Sequence, residues 1–203
     1  MRIIAHNIEK RFNHRLVLRG VSFELAEADS LVITGPNGSG KTTLVKMICG
    51  LLSPTAGAIE YFIDDHKAGA EKVYERIGLV GPYLQLYKDL TAWENLAFFA
   101  RVRHGKIDRE KIGELMARVG LAGREHDALK TYSSGMLQRI KYVAALYHDP
   151  RALILDEPTA NLDEKGKKLV YEIIEEQKRK NIVIIATNEA EEISFAAKRV
   201  DVA

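Results

Sequence analysis

One cysteine, Cys49, stands among 203 residues. A lone thiol excludes an internal disulfide framework and points to a reducing compartment. The six histidines nowhere fall at zinc-ligating spacings. Also missing is any apolar run of the roughly 18–20 residues needed to cross a bilayer, and the start, MRIIAHNIEKRF, has no long apolar signal core. Any dealings with a membrane are therefore expected to pass through a partner. Excess charge of one sign is absent as well. Thirty Lys and Arg against 28 Asp and Glu leave +2, with the basic residues spread along the chain, so nucleic-acid binding gains no support. What is present is 46% apolar and 29% charged residues, the composition of an ordinary globular chain: one generous domain, or a core with a smaller lobe.

Three near-continuous apolar runs, SLVITG (30–35), ALILDE (152–157) and IVIIAT (182–187), each end in a polar or glycine-rich turn. Such runs suit a parallel sheet covered on both faces, so the class is α/β. The first 25 residues read differently, as short, partly alternating stretches with turn residues at Asn13-His14 and Arg19-Gly20, which predicts a small antiparallel sheet. Helical periodicity takes over between about 88 and 150. Thr91 and Glu94 have capping-box spacing ahead of an apolar face of Trp93, Leu96, Ala97 and Ala100. Asp108 is placed to cap a second helix with Ile112, Leu115, Met116 and Val119 on one stripe. The expected organisation is one domain, 1–203, with a core from 1–81 and 151–203 and a helical lobe from 82–150.

GPNGSGKTT (35–43) matches G-x-x-x-x-G-K-[ST] and lies between an apolar strand and a helical pattern, the context a phosphate-binding loop requires. Gly35, Gly38 and Gly40, with Pro36, Asn37 and Ser39 between them, let backbone N–H groups wrap anionic oxygens. Lys41 offers a cation to β- and γ-phosphates, the Thr42 hydroxyl a ligand to Mg²⁺, and Thr43 completes the set of nucleotide-binding residues at the helix start. At a second strand tip, in LILDEPTANLD, Asp156 can hold Mg²⁺ through water and Glu157 can act as general base on an attacking water.

YSSGMLQRIKYVAAL (132–146) comes just upstream of that block. With these elements in this order and spacing, almost the whole chain resembles the nucleotide-binding subunit of ABC transporters, of a compact exporter-like type. Tyr132 to Met136 stand where the family writes L-S-G-G-Q. Physically, Ser133, Ser134 and Gly135 offer hydroxyls and amide groups at a helix N-terminus, either a second anion site or a plain cap. The resemblance implies the ABC ATPase fold: a mainly parallel sheet, an antiparallel β-subdomain and an α-helical subdomain. It also implies two subunits, identical or pseudo-symmetric, packed head to tail so that each signature closes on the other's ATP, and a transmembrane permease partner that holds the chain on the cytoplasmic face. Phe12 then occupies the place of the aromatic that stacks on adenine, or is simply a core residue at a strand end. Asp163 in NLD is the residue touching the neighbouring subunit, or simply a helix cap.

Two positions depart from the family. Pro82 falls where a metal-ligating Gln is usual, with Gln85 three residues on; either the loop shifts so that Gln85 serves, or the ligand is missing. Asn188 stands in place of the His expected after the last core strand, which in the family contacts the γ-phosphate and helps position the catalytic Glu and water, so the resemblance implies a catalytic-site role for Asn188. Asn can donate and accept hydrogen bonds but cannot take a proton near neutral pH. The alternative for Asn188 is a cap on a helix in EAEEISFAAKR. The expected function is a Mg²⁺-dependent ATPase driving a membrane partner, with slow hydrolysis. The other reading is a nucleotide-gated interaction protein in which binding, not turnover, controls a partner. Ending about fifteen residues after Asn188, the sequence leads us to expect no added regulatory domain.

Overall fold

The computed structural model describes residues 1–202. Two long antiparallel strands, β1 (Arg2–Phe12) and β2 (Arg15–Leu25), are joined by a tight turn at Asn13-His14. Arg19-Gly20 is not a turn. It lies within β2, where Gly20 at φ 66° and Asn7 of β1 at φ 48° mark opposed bulges that shift the register. A bulge uses the same residue types as a turn, so the sequence pattern misleads there. Strands β3 (Ser30–Thr34), β4 (Ala56–Ile63), β5 (His66–Lys67) and β6 (Ile77–Val80) follow, with helices α1 (Lys41–Ile48) and α2 (Ala70–Tyr74) between them. Next come α3 (Ala92–His104), α4 (Arg109–Arg118), a 3₁₀ turn at Leu129–Thr131 and α5 (Ser134–Leu146). The chain then runs through β7 (Ala152–Asp156), α6 (Glu164–Lys178), β8 (Ile182–Ala186), α7 (Ala190–Ile193) and β9 (Lys198–Asp201).

The strands form two sheets. One is antiparallel, in the order β2-β1-β4-β5; the other is parallel throughout, in the order β6-β7-β8-β3-β9. The three apolar runs read from the sequence are β3, β7 and β8, adjacent at the centre of the parallel sheet and buried at every position. Their period-two alternation divides the interior. Ala152, Ile154, Ile182 and Ile184 face the antiparallel sheet and α1. Leu153, Leu155, Val183 and Ile185 face the helices, together with Ile112, Met116, Ile140, Val143, Val170 and Ile173. Each such fully buried aliphatic side chain contributes about 1.5–3 kcal/mol relative to exposure.

The helix starts follow their local chemistry. The Thr91–Glu94 capping box is present in both directions, and Asp108 caps α4 by accepting from the Lys111 N–H. Every parallel strand therefore points its C-terminal end to one side, and at that end the loops after β3, β6, β7 and β8 gather.

Candidate functional site

Between β3 and α1 the backbone turns through Gly35, Gly38 and Gly40 at φ of 147°, 79° and 112°. At Gly35 space as well as conformation demands glycine, since a Cβ would lie 2.0 Å from the Val202 carbonyl oxygen. Among the described helices of eight or more residues, α1 alone lacks a side-chain cap, and its first turn carries no acid. Its leading N–H groups are open to an anion. Lys41, 6% exposed, donates to the Gly35 and Pro36 carbonyls at 2.6 and 3.3 Å, which holds the ammonium inside the loop. The Ser39 hydroxyl is buried with no hydrogen-bond partner, as fits an atom that a ligand oxygen would satisfy.

Asp156 ends β7 at 1% exposure, and neither of its carboxylate oxygens has a hydrogen-bond partner. Burial pushes its carboxyl above the usual range; the nearby Thr42 hydroxyl offsets part of this without closing a hydrogen bond, the Glu157 carboxylate adds to it, and Lys41 and Lys46 oppose it. A buried, unpaired carboxylate is costly unless a cation meets it, and hard oxygens beside a threonine hydroxyl suit Mg²⁺. No group of three or more His, Cys, Asp or Glu able to hold a metal exists among the described residues. One carboxylate plus phosphates and waters is the ligand set that Mg²⁺ uses in phosphoryl-transfer sites.

Glu157 follows at φ 53°, a conformation that costs a non-glycine residue about 1–3 kcal/mol and persists only where the surroundings enforce it. Its N–H donates to Ala186 O at 2.9 Å. From α5, Gln138 and Tyr142 donate to the Pro158 carbonyl at 3.1 and 2.9 Å. Glu157 then lines one cleft with Phe12, Asn37, Lys41, Thr42 and Thr43. Phe12 is 47% exposed at the end of β1 and so is not a core residue; the Lys10 ammonium lies 5.2 Å from its ring centroid.

Asn188 rests on the phosphate loop, its Nδ2 donating to Asn37 Oδ1 at 3.0 Å. It does not cap a helix. Helix α7 is four residues long, its N-cap is Glu189, and the Glu189 N–H is taken by Thr187 Oγ1 at 2.9 Å. The stretch EAEEISFAAKR is thus not one helix, because residues from Lys198 pair with β3 as strand β9.

Ser133 caps α5, accepting from the Met136 N–H at 3.2 Å, with Ser134 as the first helical residue. Gly135 allows a close approach, since a Cβ there would lie 3.1 Å from the Asn161 carbonyl oxygen. Asp163 caps α6 through the Gly166 N–H at 2.8 Å and is exposed. None of these four residues lines the cleft that holds Lys41 and Glu157. Pro82 and Gln85 are both exposed in the loop after β6.

Sequence reasoning missed Glu192. It is 1% exposed, accepts from the Thr159 hydroxyl, and its carboxyl is raised by burial against the opposing effect of Thr159 and Thr187. It ties the segment after Asn188 to the segment after Glu157, yet among neighbouring acids it reads as part of a solvated face. Missed too was an apolar groove lined by Leu51, Tyr74, Tyr83, Leu84 and Phe99. The buried polar pair Gln138 and Tyr142, spaced i,i+4 on α5, was the one readable signal of the clamp on Pro158.

A family model described as ABC transporter matches residues 18–160, the greater part of the chain. The chain belongs to the family of ABC transporter ATP-binding proteins. The matched span includes the phosphate loop, Ser133–Gly135 and the Asp156-Glu157 pair, and leaves out Phe12, Asp163 and Asn188. An uncharacterized ABC transporter ATP-binding protein, YdbJ of Bacillus subtilis, is 38% identical over 195 residues, covering 95% of this chain and 63% of that protein. The linearmycin resistance ATP-binding protein LnrL of the same organism is 34% identical over 204 residues, covering 98% and 65%. The chain therefore spans less than two thirds of the length of these relatives. A solved structure, described as a dimeric post-hydrolysis state of an ATP-binding cassette bound to ADP and Pi, superposes with a TM-score of 0.87 at 23% identity, covering 98% of this chain and 94% of that one. The fold is that of ABC ATPases.

Proposed function

We propose that the chain is the ATP-binding and ATP-hydrolysing subunit of a membrane transporter, closing as a dimer around two Mg-ATP to drive a transmembrane partner. One observation carries this reading: a phosphate loop with a buried lysine and an uncapped helix start faces an unpaired Asp156 and an exposed Glu157 across one cleft. In this reading the loop amides and Lys41 hold the β- and γ-phosphates while Phe12 stacks on adenine. Thr42 and Asp156 would hold Mg²⁺, which when bound neutralises charge on the phosphate oxygens. Glu157 accepts a proton from the attacking water. Asn188, hydrogen-bonded to Asn37, can donate to the γ-phosphate but cannot take a proton, so hydrolysis is slow.

Ser133, Ser134, Gly135 and Asp163 lie outside the cleft of their own chain, which supports a role on the neighbour's nucleotide in a two-fold dimer. The dimeric state described for the structural neighbour agrees with this. Residues 1–81 and 151–203, of which Ala203 lies outside the described residues, are assigned to the nucleotide-binding core and 82–150 to the helical arm. No described helix is long and apolar enough to cross a membrane. The groove lined by Leu51, Tyr74 and Phe99 suits a partner that does, which would hold the chain at the cytoplasmic face; the name of one relative, an ABC transporter ATP-binding protein, supports such a partner.

A second reading, a nucleotide-gated interaction protein, is favoured by Pro82, which has no side-chain oxygen to offer the metal, and by Asn188, which cannot take a proton. Phosphate release separates the two. Turnover that requires Mg²⁺, is lost in Lys41→Ala together with ATP binding, and is lost in Glu157→Gln with binding retained supports the enzyme. Release unaffected by Glu157→Gln sinks it.

A further inference from the structure

The loop after β6 carries a buried, unpaired hydroxyl at Tyr83, next to Pro82, which has none to offer; the Tyr83 side chain also lines the apolar groove with Leu51, Tyr74 and Phe99. Tyr83 folds back over Gly81: a Cβ on Gly81 would lie 3.0 Å from the ring and 3.3 Å from the Tyr83 hydroxyl oxygen. Strands β6 and β7 run in register with Val80 beside Leu155, so Gly81 is level with Asp156, the next residue of β7. The Tyr83 hydroxyl is buried and makes no hydrogen bond, as is true of both Asp156 oxygens. Two further contacts fix the ring and the loop. The Lys46 ammonium lies 4.7 Å from the Tyr83 centroid, and Lys46 is one turn along α1 from Thr42. Lys141 donates to the Gly81 carbonyl at 3.0 Å. Burial, then Cys49 and Asp156, push the phenol above its ordinary range, so it stays a neutral donor. Gln85, by contrast, is exposed.

We infer that Tyr83 is a positioning residue for Asp156: when nucleotide is bound, its phenol O–H donates to one Asp156 oxygen and turns the other toward the cation. Gln85 takes no part. The inference rests on the ATP and Mg²⁺ reading above and adds to it a donor built from a residue beside the substituted position. It explains two orphaned groups together, since an unpaired buried donor and an unpaired buried acceptor on neighbouring strand ends are each costly alone.

The test compares wild type, Tyr83→Phe, Gln85→Ala and Lys41→Ala by thermal unfolding without nucleotide and by ATP titration in Mg²⁺ and in EDTA. Tyr83→Phe removes an unpaired buried hydroxyl and keeps the ring, so the nucleotide-free protein should melt at the same temperature or higher. ATP affinity in EDTA should be unchanged. The gain in affinity on adding Mg²⁺ should fall about three- to tenfold, the factor set by one hydrogen bond. Gln85→Ala should match wild type in every arm. A full Mg²⁺ gain in Tyr83→Phe overturns the inference, as does a lower melting temperature with equal losses in Mg²⁺ and EDTA, or a loss of the gain in Gln85→Ala. If wild type and Lys41→Ala bind ATP alike, the underlying nucleotide-site reading fails instead.

Discussion

Replacing Asp156 with asparagine should stabilise the nucleotide-free protein while abolishing its response to Mg²⁺. Asp156 is buried to 1% exposure with both oxygens unpaired, and burial is the largest influence on its carboxyl. An unsatisfied buried polar group costs about 1–3 kcal/mol, more when charged. Asparagine keeps the shape and still leaves an amide unpaired, so only the charge is relieved, a gain of about 1–2 kcal/mol. For a chain of this size that raises the melting temperature by about 2–8 °C. Scanning fluorimetry or calorimetry in EDTA reads it directly, and a second scan with Mg-ATP should move wild type upward and the variant far less.

A pH series adds a sign. The folded pKa of Asp156 lies above its unfolded value near 3.9, so the folded state binds more protons between the two. Wild-type stability from this group is therefore full below about pH 4 and is lost as pH rises through the folded pKa. The advantage of Asp156→Asn should be complete above that value and vanish as pH falls toward 4. An asparagine variant that melts below wild type at neutral pH would refute the reasoning.

Other substitutions probe other parts of the site. Asn188→His should raise the rate of phosphate release by about tenfold or more, measured at saturating Mg-ATP, because a side chain able to take charge replaces one that cannot; an unchanged rate with binding intact would mean that Asn188 only braces Asn37. Phe12→Ala should weaken ATP binding about three- to tenfold, the range of one aromatic stacking contact. Since Phe12 is half exposed, the melting temperature should stay within about 1 °C, and a large drop would reassign it to the core. Gly35→Ala should destabilise the protein by about 3 kcal/mol or more in urea unfolding, because a Cβ would strike the Val202 carbonyl at a φ that only glycine adopts easily.

The parts of this molecule legible in its sequence are those fixed by local spacing. β3, β7 and β8 are buried on both faces, so each is an unbroken apolar run, and the chemistry at their tips comes at fixed offsets: Lys41 seven residues after Thr34, Asp156 as the last residue of its strand. Caps at Thr91, Asp108, Ser133 and Asp163 are equally local. Strand β9 was illegible because it is a sheet-edge strand of Lys198, Arg199, Val200 and Asp201, whose charges suit an edge and conceal a strand. Strand β4 begins in small exposed residues and earns its place by pairing with the far side of β1. Tyr83 and Glu192 escaped for a related reason. Each is defined by a contact across the fold, with Lys46 and Gly81 in one case and Thr159 in the other, and no spacing along the chain encodes it.

The proposed cycle requires two copies of this chain to close around ATP and to reopen once Glu157 has taken the proton of the attacking water. The most direct measurement is the oligomeric state of Glu157→Gln by light scattering on a sizing column, run with Mg-ATP, with Mg-ADP and without nucleotide. A dimer in Mg-ATP alone, with no phosphate released over the run, is the predicted result. A monomer that retains bound ATP, or a variant that releases phosphate at the wild-type rate, would contradict it.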